Sequence, residues 1–287
     1  MVGRTGITDL VNKQTQKESV ASPTETRQYF LQRAVRDFVP LRRDFVQQPR
    51  GAASRPGPLA TFVGNRDLRG LHAYLFIVAI TSKGFEDTGW STTLNSGVWA
   101  RALGTTEKAN AASARAAVAK TLQRLQERRL ITYERIKGTH DVRVTLLKED
   151  GNGDPYTRPG LGNSDAYLKI PFSLWRSGLA DDLGLPGLST LLVASCERRR
   201  FELATERMEE WYGWSPDTAE RGFRELAGHG VIQIEQTYKK APASPSGTTR
   251  VNRYSLVKPY LHRRNTVKAL TPGDTPDTPT APETKEA

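Results

Sequence analysis

The chain has 287 residues, enough for about two domains that each bury a core. Lys and Arg number 42 against 31 Asp and Glu, and the resulting +11 favours an anionic partner, either nucleic acid or an acidic membrane surface. A single cysteine, Cys196, excludes a disulfide framework, and no apolar run approaches the ~18 residues of a membrane span, so a cytoplasmic protein that does not cross a membrane is expected.

Residues 1–26 are polar and aperiodic and read as a disordered arm. Residues 25–38 predict an amphipathic helix with Phe30, Leu31, Ala34, Val35 and Phe38 on one side, stopped by Pro40. A Pro- and Gly-rich loop over 47–58 leads to an apolar helix over 67–80 and, after a turn at Gly84, a short helix over 94–103. Residues 110–128 predict a longer alanine-rich helix, with Ala114, Val118, Leu122 and Leu125 on its buried stripe. Strands are expected over 130–136 and 142–147, joined by a turn at residues 137–141. The stretch 148–166, dense in Gly, Asp, Asn and Pro, reads as a linker.

The order then repeats. A lead-in at 167–171 precedes helices over 185–200, 203–212 and 215–227. The last has the clearest start: Ser215 as N-cap, Pro216 at the first helical position and Asp217 beside the positive end of the dipole. Ala219, Phe223 and Leu226 give it a buried stripe, and Gly228 and Gly230 end it. A hairpin over 231–237 and 250–257 follows, its alternation setting Ile232 and Ile234 inward and Gln233 and Glu235 outward. Leu122, Leu125, Leu130 and Ile131 match Phe223, Leu226, Val231 and Ile232 at a constant shift of 101 residues, which makes a tandem module the economical reading. The fold class expected is mainly α with small β-hairpins (α+β). Its divisions are an arm (1–26), an N-terminal helix and loop (27–58), a first module (59–147), a linker (148–166), a second module (167–260) and a disordered tail (261–287).

The outward positions of the two third helices are polar and basic: Ser113, Arg115, Lys120, Gln123 and Arg124 in the first, Ser215, Thr218, Arg221 and Arg224 in the second. The hairpins add Lys137 and Arg143 in the first module and Lys239, Lys240, Arg250 and Arg253 in the second. Arg and Lys can pair with guanine edges or phosphates, and Gln with adenine. Catalytic patterns are poor. The four histidines have no ligand spacing, no phosphate-binding Gly-x-x-x-x-Gly-Lys loop occurs, and Pro155 and Leu161 spoil the calcium-loop start at Asp150. His140-Asp-Val-Arg143 matches the His-x-x-Arg of tyrosine recombinases but falls in the expected hairpin. No catalytic residue, cofactor or metal is assigned, and Trp90, Trp99, Trp175, Trp211 and Trp214 are assigned to packing.

The blocks 112–147 and 215–256 resemble winged helix-turn-helix DNA-binding domains, and their tandem arrangement resembles plasmid replication initiators and actinobacterial transcription regulators. The resemblance implies double-stranded DNA as the partner, read by each third helix in a major groove while the wings neutralise phosphates. A regulator is the first expectation, an initiator at origin repeats the alternative, and a recombinase or nuclease a third. A second copy of the chain, or the replication or transcription machinery, is left open as a further partner.

Overall fold

The computed structural model describes residues 20–83, 89–107, 109–160 and 165–261; the turn expected at Gly84, residues 1–19 of the arm and the tail from 262 onward lie outside them. The architecture is mixed, as the α+β expectation had it: helices and three small antiparallel sheets around a shared apolar core.

The first helix, α1 (Pro23–Gln32), starts within the stretch read as an arm. Ser22 accepts from the Glu25 N–H while the Glu25 carboxylate accepts from the Ser22 N–H, a complete capping box. The helix stops at Gln32, short of the expected residue 38, and Val35, placed on its buried side, is fully exposed. Phe38–Arg42 forms a strand instead, β1, paired antiparallel with Tyr167–Pro171 (called β6 below). Pro40 is tolerated because this two-stranded sheet leaves each strand one open edge, where a missing N–H costs nothing.

Two runs of elements follow in the same order. In the first, α2 (Leu59–Gly64) and α3 (Leu68–Ile80) lead through β2 (Ser82–Lys83) to β3 (Trp90–Asn95), α4 (Ser96–Ala102), α5 (Ala111–Glu127), β4 (Ile131–Arg135) and β5 (Asp141–Leu146). In the second, β6, α6 (Ser173–Arg176) and α7 (Leu179–Asp182) precede α8 (Leu185–Cys196), β7 (Phe201–Glu202), α9 (Met208–Tyr212), α10 (Pro216–Gly228), β8 (Ile232–Lys240) and β9 (Thr248–Leu256). Both runs contain a strand that periodicity did not predict. β3 pairs with β5 and β7 with β9, so each hairpin is widened by a strand lying between the first and second helices. Other differences are of extent: Leu94 belongs to β3 rather than to a helix, α8 ends at Cys196, and α9 is five residues behind a 3₁₀ turn.

The corners keep the 101-residue shift in atomic detail. The Leu130 N–H donates to the Leu125 carbonyl and the Val231 N–H to that of Leu226, while Arg129 (φ 54°) and Gly230 (φ 67°) take the left-handed conformation that turns helix into strand. Each third helix is capped by a side chain: Asn110 Oδ1 accepts from Ser113 N at 2.9 Å, and Ser215 Oγ from Thr218 N at 3.3 Å. The buried stripes are Ala114, Val118, Thr121, Leu122 and Leu125 in α5 and Ala219, Gly222, Phe223 and Leu226 in α10. Gly222 lets α10 lie hard against α8, where a Cβ would collide with Thr190 Oγ1 and the Pro186 carbonyl. One turn further on, the Glu225 carboxylate accepts from the Gly187 N–H at 2.9 Å and caps the start of α8.

Among its described residues the segment read as a linker carries no helix or strand, but it is packed. Glu149 and Tyr156 are buried, and Leu147 bridges to Pro155. Arg42, 2% exposed, gives its guanidinium to Glu149, Asp165 (Nε at 3.0 Å) and Thr157 (2.8 Å). Burial pushes the Glu149 carboxyl above its usual range despite Arg42. Residues ahead of the first run thus hold residues of the second: β1 pairs with β6, Arg27 with Asp181, and Gln47 donates to the Trp211 carbonyl at 3.3 Å.

Candidate nucleic-acid interface

On α5, Ser113, Arg115, Lys120 and Gln123 are exposed, as the helical spacing required once Ala114 and Val118 point inward. Among the described residues Arg115 and Lys120 make no ion pair, whereas Gln123 donates to Glu127 at 3.0 Å. Arg124 is placed differently from its expected outward role. Its Nε and an Nη reach the Asp67 carboxylate at 3.0 and 2.9 Å, and Arg128 joins them at 2.7 Å. Asp67 is also the N-cap of α3, accepting from the Gly70 N–H at 2.9 Å. Burial alone would raise its pKa, but the hydrogen bonds from Arg124 and Arg128 outweigh burial and hold it below the usual carboxylate value. Arg124 therefore ties α5 to α3. In the β4–β5 hairpin Lys137 is exposed in the turn, and Arg143 pairs across the strands with Glu134 at 2.8 Å.

The second run presents more open cations. On α10, Arg224 is exposed with no ion pair among the described residues. Arg221 meets Asp217 at 3.2 Å, an exposed i,i+4 pair that solvent screens, and also donates to the Thr218 hydroxyl at 3.4 Å. Ser215 is occupied by its cap but stays exposed.

Cross-strand register sorts the β8–β9 cations between the two faces of the hairpin. Ile234, Gln236, Tyr238 and Lys240 stand opposite Tyr254, Asn252, Arg250 and Thr248, and directly opposed side chains share a face. Tyr254 stacks on Phe223 of α10 (centroids 3.9 Å apart, planes at 17°), so this is the face turned towards α10. Ile234 takes the expected inward face, opposite buried Tyr254, but is 39% exposed there. The opposite face carries Lys239 and Arg253, and both converge on Glu202 of β7, with Arg253 Nε at 3.0 Å. Those hydrogen bonds, Lys239's first, hold Glu202 below the usual carboxylate range. Arg200 pairs with Glu235 on the same side. Between α10 and the hairpin lies an open groove of about 650 Å³, lined by Arg224, Arg250, Ile234, Trp211, Glu206 and Glu220.

Comparison of the chain with protein-family models, with curated proteins and with solved structures found no match. The functional reading therefore rests on this geometry alone. Among the described residues no three His, Cys, Asp or Glu side chains gather as metal ligands would, and no helix is long and apolar enough to cross a membrane. Trp99, Trp175 and Trp214 are buried, and Trp99 Nε1 donates to the Val142 carbonyl at 3.2 Å, joining α4 to its sheet.

Sequence reasoning missed Asp67, Glu202 and Tyr238. The first two are carboxylates distant in sequence from the cations they bind, and no local pattern marks them. Tyr238 was legible as an aromatic beside two lysines, but its position outward and on the α10 face follows only from register.

Proposed function

We propose that the chain binds double-stranded DNA sequence-specifically through two winged-helix modules, α3 to β5 and α8 to β9, and acts as a regulator by occupying its site. One observation carries this reading. The same order of helix, strand, helix, capped helix and hairpin occurs twice, and each copy presents unpaired cations from its third helix and its hairpin. In the first module these are Arg115, Lys120 and Lys137; in the second they are Arg224, Lys240 and Arg250. A capped helix with a polar, basic outer face fits a major groove, and a projecting hairpin reaches the flanking backbone. The net charge of +11 supports attraction to phosphate at long range.

Selection of bound duplexes from a random pool tests the proposal. Enriched sites should contain two half-sites at one recurring separation, about one helical turn (~34 Å) or a multiple of it. Affinity for them should fall roughly 10³-fold between 50 and 200 mM salt if six or more phosphates are contacted. Lys120→Ala and Arg224→Ala should each weaken binding. A pool that shows no enrichment, together with salt-insensitive retention of DNA, refutes the proposal.

A further inference from the structure

Given the DNA-binding function proposed above, we infer that the long hairpin meets DNA with one face only, through Lys240, Arg250 and the ring of Tyr238, while Lys239 and Arg253 serve the fold. The two faces differ in charge state. On the far face every cation has a carboxylate: Lys239 and Arg253 share Glu202, and Arg200 holds Glu235. On the near face Lys240 and Arg250 have no carboxylate among the described residues, so they are available to phosphates.

Tyr238 stands directly opposite Arg250 and is 73% exposed, although an aromatic ring gains by leaving water. Its neighbours on that face of the hairpin are Arg250 directly opposite, Gln236 and Lys240 along its own strand, and Asn252 and Thr248 on the diagonals. An apolar ring set between two free cations matches the surface of a nucleic-acid groove, where sugars and base edges lie between two rows of phosphate. The ring packs on the sugars and base edges, and Lys240 and Arg250 neutralise phosphates on either side. Glu206 and Glu220 line the α10–hairpin groove, while Tyr238 and Lys240 lie further along the same face of β8, past Ile234 and Gln236.

Neighbouring lysines give a test matched in charge. Lys239→Ala and Lys240→Ala each remove one positive charge at adjacent positions, so a general loss of basicity would affect both equally. Affinity for the selected duplex, measured by fluorescence anisotropy across a salt series, should fall about 5- to 10-fold for Lys240→Ala and for Arg250→Ala, with the salt slope reduced by about one. Lys239→Ala should stay within about twofold of the parent, the spread expected of a screened surface charge. Tyr238→Ala should lose about 5-fold or more, while Tyr238→Phe, which keeps the ring, should bind as the parent does. All four substituted positions are exposed on the hairpin, and thermal melting of each variant separates a folding defect from a binding one. Equal losses for the two lysine variants, or an unaffected Tyr238→Ala protein, overturn the one-face reading while DNA binding stands. A parent protein that binds no duplex overturns both.

Discussion

Replacing Asp67 by alanine removes at once the cap of α3 and the carboxylate that ties α5 to it. The cap of α3 is lost with the Asp67–Gly70 hydrogen bond, worth about 1 kcal/mol. Arg128, only 9% exposed, is left without its carboxylate, and breaking a buried pair from one side costs about 3–5 kcal/mol. Its guanidinium keeps the face of Phe62, 4.1 Å away, which places the loss near the lower bound. Arg124 is 39% exposed and water takes over its charge, so it adds little. Asp67→Ala should therefore lower the unfolding free energy by about 3–4 kcal/mol, read by urea denaturation at pH 7. Asp67→Asn, which can still cap through its amide oxygen, should lose less. In an Arg128→Met background the cost of Asp67→Ala should shrink towards the cap alone, because no charge is then left behind. The carboxyl's lowered pKa fixes the acid limb: this stabilisation is present above the unfolded value of about 3.9 and is lost as pH falls through the lower folded value. A cost below 1 kcal/mol, or strict additivity with Arg128→Met, would refute the anchoring role.

Two further outcomes follow from the packing. Burial pushes the His72 imidazole down to about 4 against the pull of Asp181, so the fold favours the neutral ring. The associated stability is complete above the unfolded value of about 6.5 and falls by up to about 3 kcal/mol as pH drops towards 4; His72→Gln should flatten that part of the curve, and an unchanged urea midpoint–pH profile would count against it. Gly222→Ala should destabilise by about 2 kcal/mol despite alanine's better helix propensity, since the new methyl meets the Pro186 carbonyl and Thr190 in α8; a urea midpoint at or above the parent's would show that the helices can separate at little cost.

The corners from third helix to hairpin were legible because several local signals coincide there. Ser215, Pro216 and Asp217 mark a start, Phe223 and Leu226 a buried stripe, and Gly230 the turn into a strand that begins with apolar Ile232. β3 and β7 carry no such agreement. Trp-Ser-Thr-Thr-Leu-Asn has only Trp90 and Leu94 as apolar residues on one side of its alternation, and Phe-Glu is too short to show a period; both are strands because β5 and β9 offer an edge. β1 was hidden by Pro40, which reads as a helix stop and proves to occupy an edge strand. At the candidate interface, spacing placed Arg115, Lys120 and Arg224 outward correctly, yet it could not show that Arg124 is bound by a carboxylate 57 residues away. Charge composition counts cations; only tertiary structure tells which of them are already neutralised.

That distinction also governs how two DNA readers on one chain would cooperate. A loose linker would raise the local concentration of the second module once the first is bound, and would tolerate half-sites at varied separations. The connection here is of another kind. Glu149 and Asp165, near the two ends of the connecting stretch, are both held by Arg42 from β1, and β1 itself is paired with the strand that opens the second run. Gly213, at the turn after α9, approaches Pro56 and Ala60 so closely that a Cβ would be 2.8 Å from the Ala60 methyl. Separating the runs would expose this core and strand a buried charge, a cost of several kcal/mol that thermal motion does not meet. Affinity from such an arrangement comes from preorganisation, with the ordering cost met during folding rather than on binding. Under the DNA-binding proposal, the same stiffness would make the separation of half-sites part of what is recognised.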